Sequence, residues 1–250
     1  MGRVIAFAGK GGTGKTTTAA LLVRIIKEKK LGSVLVVDAD PNNNLAEILG
    51  LTVKQTIGSI LDDITASPEK VPPGMTKDRF IEYKVQAAVE EGDGFDLLTM
   101  GRPEGPGCYC YVNNVLRNVM SNLIKDYDYV IIDNEAGLEH LSRRTTKNAD
   151  AMVIVSDASA IGLKAAGRIV ELTKELKIGV RNSFLLVSRA STDIDKKKIR
   201  DFNFEYLGFI PQDSEIEKLS LAGLSLMNLK DDSISLNHLR KLGEKIWQRN

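Results

Sequence analysis

The chain has few cysteines and no excess of charge of either sign. Its two cysteines are separated by one residue, so no disulfide framework can be built from them. Lysine and arginine number 34 against 33 aspartates and glutamates, which gives no electrostatic argument for a nucleic-acid partner. No apolar run approaches the ~18 residues that span a bilayer, and a strand pattern beginning at Arg3 leaves no room for a signal peptide. We therefore expect a cytoplasmic protein with no stable membrane anchor and no nucleic-acid partner.

A glycine-rich segment lies between a strand pattern and a helix pattern. Residues 9–18 read GKGGTGKTTT, after an apolar strand pattern at Arg3–Ala8 and before a helix pattern at Thr16–Lys30. In this context GxxxxGK(S/T) forms a phosphate-binding loop, whose backbone N–H groups and following helix N-terminus face phosphate oxygens. Lys15 would reach the β- and γ-phosphates as a catalytic residue. The sequence therefore predicts a nucleotide site formed by Gly11, Gly12, Thr13, Gly14, Lys15, Thr16 and Thr17.

Carboxylates end two of the predicted strands. The apolar runs SVLVVD and YVIID end in Asp38 and Asp133. Ligands bind at the carboxyl ends of the strands in open α/β sheets. Asp133 matches the Walker-B carboxylate that holds Mg²⁺, and the Thr16 hydroxyl would bind the same ion. Asp38 would support the loop or act through Mg²⁺-bound water, so we predict a Mg²⁺ site of Thr16, Asp38 and Asp133.

The remaining patterns indicate the fold class. The helix pattern at Ser159–Leu176 joins two strand patterns, and a crossover of that length favours parallel neighbours. We predict an α/β fold with a mostly parallel central sheet and helices on both faces, forming a single P-loop ATPase domain over residues 1–250. Residues 52–95 are the least informative part of the chain, with a helix expected at Phe80–Glu91. The pattern at Leu236–Trp247 predicts an amphipathic helix that packs on the sheet rather than on a membrane.

The cysteine pair, Cys108 and Cys110, follows a Gly-Pro-Gly loop and precedes an amphipathic helix pattern. In an extended segment residues i and i+2 point to the same side, whereas in a helix they diverge by about 200°. A helix N-terminus lowers the pKa of a thiol, which favours the thiolate. A two-fold dimer would supply four thiolates, enough to close a site for Zn²⁺, Ni²⁺, Cu(I) or an iron–sulfur cluster. Buried structural cysteines are the alternative.

The loop contains a second lysine, Lys10, and the run KGGTGKTT resembles the MinD/ParA/nitrogenase iron protein class of P-loop ATPases. That resemblance implies an ATP-sandwiched homodimer in which Lys10 contacts the partner's nucleotide as a catalytic residue. It also implies that Asp40, which precedes Pro41, orients or activates the attacking water. The alternative for Asp40 is an N-cap of a short helix predicted at Leu45–Leu49. The resemblance further implies that residues 52–95 vary among members and face a partner.

The same resemblance implies where the base lies. Pro211 and Asp213 match a loop that lines adenine in this class. Members commonly carry an Asn after the strand that corresponds to SFLLV, where it reads adenine. Ser188 and Arg189 stand there in this chain, which is a departure from the pattern.

A closer resemblance comes from the motifs together. KGGTGKTT, Asp38-Ala-Asp40-Pro, the Cys-x-Cys pair and AGLEHLSR after Asp133 resemble the carbon monoxide dehydrogenase accessory ATPases of the CooC/AcsF type. The resemblance implies a homodimeric, ATP-hydrolysing chaperone that binds nickel, or zinc, at Cys108 and Cys110 and serves carbon monoxide dehydrogenase or acetyl-CoA synthase. It also implies that the loop at Ala136-Gly137 reports the γ-phosphate. Alternatives are an iron–sulfur carrier ATPase, a MinD/ParA-like positioning ATPase and an electron-donating reductase.

Overall fold

A computed structural model describes residues 2–67, 71–102, 110–135 and 148–248, with the backbone alone for residues 110–114. The strands are β1 (Arg3–Gly9), β2 (Val34–Asp38), β3 (Glu90–Glu91), β4 (Asp96–Thr99), β5 (Tyr129–Asp133), β6 (Asn148–Ser156), β7 (Gly179–Ser188) and β8 (Glu205–Ile210). Within these residues they form one sheet in the order β3-β4-β2-β5-β1-β6-β7-β8. All neighbours are parallel except β3 and β4.

Helices connect most of the strands. The helices in the described part of the chain are α1 (Lys15–Glu28), α2 (Asn44–Leu49), α3 (Ile57–Ala66), α4 (Lys77–Ala87), α5 (Cys110–Leu123), α6 (Ala160–Glu175), α7 (Ser214–Leu221), α8 (Ile234–Leu242) and α9 (Glu244–Trp247). Local chemistry sets several of their starts. Thr56 caps α3 in a reciprocal capping box with Ser59, and the Ser159 side chain caps α6 by accepting from the Gly162 N–H.

Two hydrophobic cores lie on opposite faces of the sheet. The alternation of side chains along β1 places Ile5 and Phe7 in a core with α1, α2, α8 and α9. Val4, Ala6 and Ala8 pack in the other core, with α3, α4, α5 and α6. Burial on both faces explains why the central strands read as nearly continuous apolar runs. The predicted α/β fold with a mostly parallel sheet and helices on both faces is confirmed.

Two predicted elements are corrected. The helix predicted at Phe80–Glu91 ends at Ala87, and Glu90–Glu91 pairs antiparallel with β4 instead. The single C-terminal helix is two helices, α8 and α9, which meet at Gly243. A Cβ at Gly243 would lie 2.2 Å from the Trp247 ring, so this close approach requires glycine.

The C-terminal segment packs on the protein as predicted. Leu236, Leu239, Ile246 and Trp247 are buried in the core on the α1 side of the sheet. No helix in the described ranges is both long and apolar enough to cross a membrane. The apolar face of this segment is therefore occupied by the fold itself.

Candidate nucleotide site

The glycine-rich loop joins β1 to α1 at the carboxyl edge of the sheet. Gly14 immediately precedes α1 with φ 89°, a left-handed conformation that glycine adopts at little cost. At Gly9 a Cβ would lie 2.2 Å from the Val155 carbonyl oxygen, so β1 and β6 approach too closely there for a side chain. The glycines therefore shape the turn and let α1 begin at Lys15, with its N-terminus at the loop.

The carbonyl groups of the loop are held by hydrogen bonds from the chain itself. The Lys10 carbonyl accepts from the Thr13 hydroxyl at 2.9 Å and from Lys15 Nζ at 3.3 Å. The Gly14 carbonyl accepts from the Thr18 N–H at 2.9 Å and the Thr18 hydroxyl at 2.8 Å. Lys15 is only 7% exposed, so its ammonium group is enclosed within the loop that the sequence predicted.

Two contacts to this loop were missed by the sequence reasoning. The Ser188 hydroxyl donates to the Thr13 carbonyl, and Arg189 Nη2 donates to the Gly12 carbonyl. Both donors stand at the carboxyl end of β7, more than 170 residues away along the chain. In the sequence, Ser188 and Arg189 stood out only because they replace the Asn that the MinD/ParA class commonly has after this strand.

Asp38 and Asp133 bring two carboxylates together beneath the loop. They are register partners on β2 and β5, and both are almost completely buried. Burial, with the charge of Asp133, raises the pKa of Asp38 to about 7. Burial also raises the pKa of Asp133 to about 6, while the Thr16 hydroxyl and the Lys15 ammonium act in the opposite direction. The two like charges therefore favour a cation between or beside them.

The donor set at these residues fits Mg²⁺. Neither carboxylate oxygen of Asp133 accepts a hydrogen bond of regular geometry within the described residues. Asp38 accepts from the N–H groups of Asp40 and Leu45, each at 3.1 Å, which fixes its orientation. The buried Asp133 oxygens, beside the Thr16 hydroxyl and an oriented second carboxylate, are the hard oxygen ligands that a divalent cation prefers. Thr16, Asp38 and Asp133 would hold the ion, and this assignment stays a prediction.

Asp40 lies in the loop between β2 and α2. Its Oδ1 accepts from the backbone N–H and the side-chain amide of Asn42, both at 2.9 Å. The alternative role as the N-cap of α2 is wrong, because Asn43 occupies that position. The Asp40 charge also acts on Asp38 and Asp133, so the carboxylate belongs to the same edge. Its role toward the attacking water stays a prediction.

Charged side chains form the rim of the loop. Asp157 follows β6, and its hydrogen bond from Ser159 holds the pKa of this carboxyl below its usual range, with help from the charges of Lys10 and Arg189. The Lys10 side chain is exposed at the loop tip. The side chain predicted to reach a second molecule is thus accessible to one.

The loop after β8 is tied to the C-terminal segment. Asp213 Oδ1 accepts from the Glu215 N–H at 3.0 Å, and Oδ2 accepts from the Ser233 hydroxyl at 2.6 Å and the Ser235 N–H at 3.1 Å. The Pro211 carbonyl accepts from the Ser235 hydroxyl at 3.0 Å. These contacts commit both oxygens of Asp213 to holding the loop. Contact of Pro211 and Asp213 with adenine stays a prediction.

The side chains of the two predicted metal ligands lie outside the described part of the structure. Cys108 lies outside the described residues, and so does Ala136-Gly137. Cys110 is the first residue of α5, and only its backbone is described. Among the described side chains, no group of three or more His, Cys, Asp or Glu residues is placed to hold a metal ion. Binding of nickel or zinc is therefore carried by the sequence pattern alone.

Comparison with known proteins extends over nearly the whole chain. The family described as "AAA domain" matches residues 2–186. An uncharacterized ATP-binding protein of Methanocaldococcus jannaschii is 41% identical over 248 residues, covering 97% of this chain and 98% of that protein. The carbon monoxide dehydrogenase accessory protein CooC of Rhodospirillum rubrum is 31% identical over 239 residues, covering 90% of this chain and 89% of that protein.

Solved structures share the fold. The cell division ATPase MinD of Pyrococcus furiosus superposes with a TM-score of 0.71 at 23% identity, and each chain is covered to 98%. The septum site-determining protein MinD of Pyrococcus horikoshii, complexed with Mg-ADP, gives a TM-score of 0.69 at 22% identity, with 98% of this chain and 96% of that one covered. The architecture is that of MinD-like P-loop proteins.

Proposed function

Because the chain belongs to the AAA-domain family of P-loop ATPases, we propose that it is an ATP-hydrolysing metal chaperone. It dimerises with ATP, binds nickel between two copies of the Cys108-x-Cys110 motif, and delivers the ion to carbon monoxide dehydrogenase or acetyl-CoA synthase. The ATPase activity follows from the family and the MinD-like fold. The chaperone role is carried by one observation, the 31% identity to the accessory protein CooC over about nine-tenths of both chains.

The phosphate loop binds the triphosphate through its backbone N–H groups and the N-terminus of α1. Lys15 leaves its contact with the Lys10 carbonyl, which spans 3.3 Å, and pairs with the phosphates. Thr16, Asp38 and Asp133 would hold Mg²⁺, whose positive charge would offset the charge of the phosphates and of the two buried carboxylates. Asp40 orients the attacking water, and Lys10 of each copy reaches the nucleotide held by the other.

The metal side of the proposal rests on the start of α5. Cys110 begins that helix, and a thiol at a helix N-terminus ionises more readily. One chain offers two thiolates, so two chains related by a two-fold axis offer the four that close a site. Nickel is the cargo of this site, and zinc is the competing ion of similar affinity for thiolates.

The chain connects the two sites directly. From Cys110 the helix α5 runs to Leu123, a short 3₁₀ turn follows, and β5 begins at Tyr129 and ends at Asp133. One continuous segment therefore leads from the cysteine motif to a carboxylate of the Mg²⁺ site. ATP and metal would be linked if each binds one dimeric state better than the other.

Titration of the purified protein with Ni²⁺, and separately with Zn²⁺, tests the proposal. We expect one ion per two chains, bound more tightly with a non-hydrolysable ATP analogue than without it. The double variant Cys108→Ala/Cys110→Ala should lose tight binding and keep ATPase activity, because the phosphate loop is a separate part of the chain. Binding should weaken as the pH falls, since protons compete for the thiolates.

Two results would contradict the shared site. One is an ion held by each chain in a variant that stays monomeric with ATP. The other is undiminished metal binding by the double cysteine variant. A visible absorption band from anaerobically purified protein would instead favour an iron–sulfur carrier ATPase.

A further inference from the structure

Two side chains at the end of β7 bond to the phosphate loop without belonging to it. The Ser188 hydroxyl donates to the Thr13 carbonyl, and Arg189 Nη2 donates to the Gly12 carbonyl. Ser188 is 6% exposed, and a Cβ built on Gly14 would lie 3.6 Å from its Oγ. The loop therefore rests against the end of β7 through two consecutive peptide groups.

The direction of a carbonyl fixes the direction of the next N–H. A trans peptide is planar, so its C=O and N–H point in opposite directions. With the Thr13 carbonyl held toward Ser188, the Gly14 N–H points away from β7. A phosphate loop binds anions with N–H groups, and a carbonyl oxygen that turned inward would repel the same phosphate. Holding these carbonyls outward is thus a condition for binding.

Two other carbonyl groups of the loop accept hydrogen bonds from nearby residues of the loop and of α1. The Lys10 carbonyl accepts from the side chains of Thr13 and Lys15, and the Gly14 carbonyl accepts from Thr18. Ser188 and Arg189 hold two of the three carbonyls between these positions, those of Thr13 and Gly12. Ser188 and Arg189 thus fix carbonyl directions in the middle of the loop, as local hydrogen bonds fix them at its two ends.

The backbone of Arg189 has an uncommon conformation. Its φ is 52°, in the left-handed region that non-glycine residues rarely occupy. Strained residues of this kind persist where the surrounding structure holds them, and they cluster at binding sites. The residue with this uncommon backbone conformation is also the one whose guanidinium contacts Gly12.

We propose that Ser188 and Arg189 are positioning residues that preorganise the phosphate loop for the di- or triphosphate of a nucleotide. This inference rests on the ATP binding of the proposed function. Because residues of the fold hold both carbonyls outward, the loop does not have to order these peptide groups when ATP binds. Their loss should raise the cost of binding more than it changes the chemistry that follows.

The variant Arg189→Gly removes the side chain and relieves the left-handed backbone at the same time. Lys177 offers a matched control, because it is an exposed cation with φ 53° at the opposite end of β7. Lys177→Gly makes the same change in charge and backbone freedom away from the loop. Arg189→Lys keeps the charge without the planar fork, and Ser188→Ala removes the second contact.

We expect both glycine variants to melt at or above the wild-type temperature without nucleotide. Arg189→Gly and Ser188→Ala should each raise KM for ATP and Kd for ADP about five- to tenfold, with a smaller change in kcat. Lys177→Gly should leave both constants unchanged. Arg189→Lys should remain close to Arg189→Gly, because the direction of the contact and not the charge alone positions the loop.

Three results would overturn the inference. Arg189→Gly with the KM and Kd of the control would show that the loop needs no support from β7. A large loss of thermal stability of Arg189→Gly without nucleotide would show that Arg189 stabilises the fold in general, not the phosphate loop in particular. Full rescue by Arg189→Lys would reduce its role to charge. Failure of the wild-type protein to bind ATP would remove the proposed function itself, a result distinct from these three.

Discussion

Asp38 and Asp133 are register partners on adjacent parallel strands, and both carboxyl groups are buried. Burial raises the pKa of both carboxyl groups, the charge of Asp133 adds to this effect at Asp38, and the charge of Asp40 adds to it at Asp133. The buried carboxylates therefore carry an electrostatic cost that a bound divalent cation would offset. Such a pair of carboxylates lowers the stability of the unliganded protein and favours the binding of a cation.

The variant Asp133→Asn should show this trade directly. Removing one of the two buried charges should raise the free energy of unfolding without nucleotide by about 1–3 kcal/mol at pH 8. ATP hydrolysis should fall at least about 100-fold, because the variant loses a carboxylate of the predicted Mg²⁺ site. Urea unfolding and a phosphate-release assay measure the two quantities. Asp93→Asn, at an exposed ion pair with Lys27, is the control and should change neither.

Asp40→Asn should separate hydrolysis from binding. The side chain keeps its size and its place beside Asn42, so KM for ATP should change little, while kcat should fall about 100-fold through loss of the carboxylate. Asn42→Ala keeps the carboxylate and removes one of the two donors that orient it, and should give an intermediate kcat. Unchanged turnover in Asp40→Asn would leave Asp40 with a structural role in the loop only.

Local chemistry made much of the fold and site predictable. Apolar runs marked the central strands, and the spacing from Gly9 to Thr16 marked the phosphate loop because glycine geometry and phosphate binding are local properties. Asp38 and Asp133 could be placed together because each directly ends a strand of a parallel sheet.

What could not be predicted depends on distant partners. The helical pattern at Phe80–Glu91 continues beyond Ala87, yet Glu90 and Glu91 pair with β4, and this pairing gains hydrogen bonds that no local pattern records. The contacts of Ser188 and Arg189 with the loop join segments more than 170 residues apart. They exist because the fold places the end of β7 beside the loop, which no local pattern in the sequence indicates.

Asp213→Ala should destabilise the C-terminal segment. The Asp213 carboxylate caps α7 and accepts from Ser233 and Ser235, so we expect a loss of about 1–3 kcal/mol at pH 7. Burial raises its pKa, but these hydrogen bonds outweigh burial and hold the pKa below the usual value of 3.8.

The pH dependence of that loss has a definite sign. A depressed pKa in the folded state adds stability above the unfolded value, and this stability is lost as the pH falls through the folded pKa. The difference between wild type and Asp213→Ala should therefore be constant from pH 7 to about 5 and shrink below about pH 4. Unfolding by denaturant at several pH values measures it, with the exposed Asp232→Ala as the control. A difference that widened in acid would show that Asp213 is not stabilised as a carboxylate.

Lys10→Ala should leave a monomer that binds ATP. The backbone carbonyl of Lys10 holds Thr13 and Lys15, and this carbonyl survives the change, so the loop keeps its shape and its affinity for nucleotide. The exposed ammonium group is lost, and with it the contact proposed for the nucleotide of a second copy. Sedimentation with a non-hydrolysable ATP analogue should give a dimer for the wild type and a monomer for the variant. The control is Lys27→Ala, which removes a lysine near the C-terminal end of α1, where it pairs with Asp93. This variant should dimerise normally. A Lys10→Ala dimer of wild-type affinity would refute the contact across the dimer, because a cation between two phosphate groups cannot be removed without cost to their association.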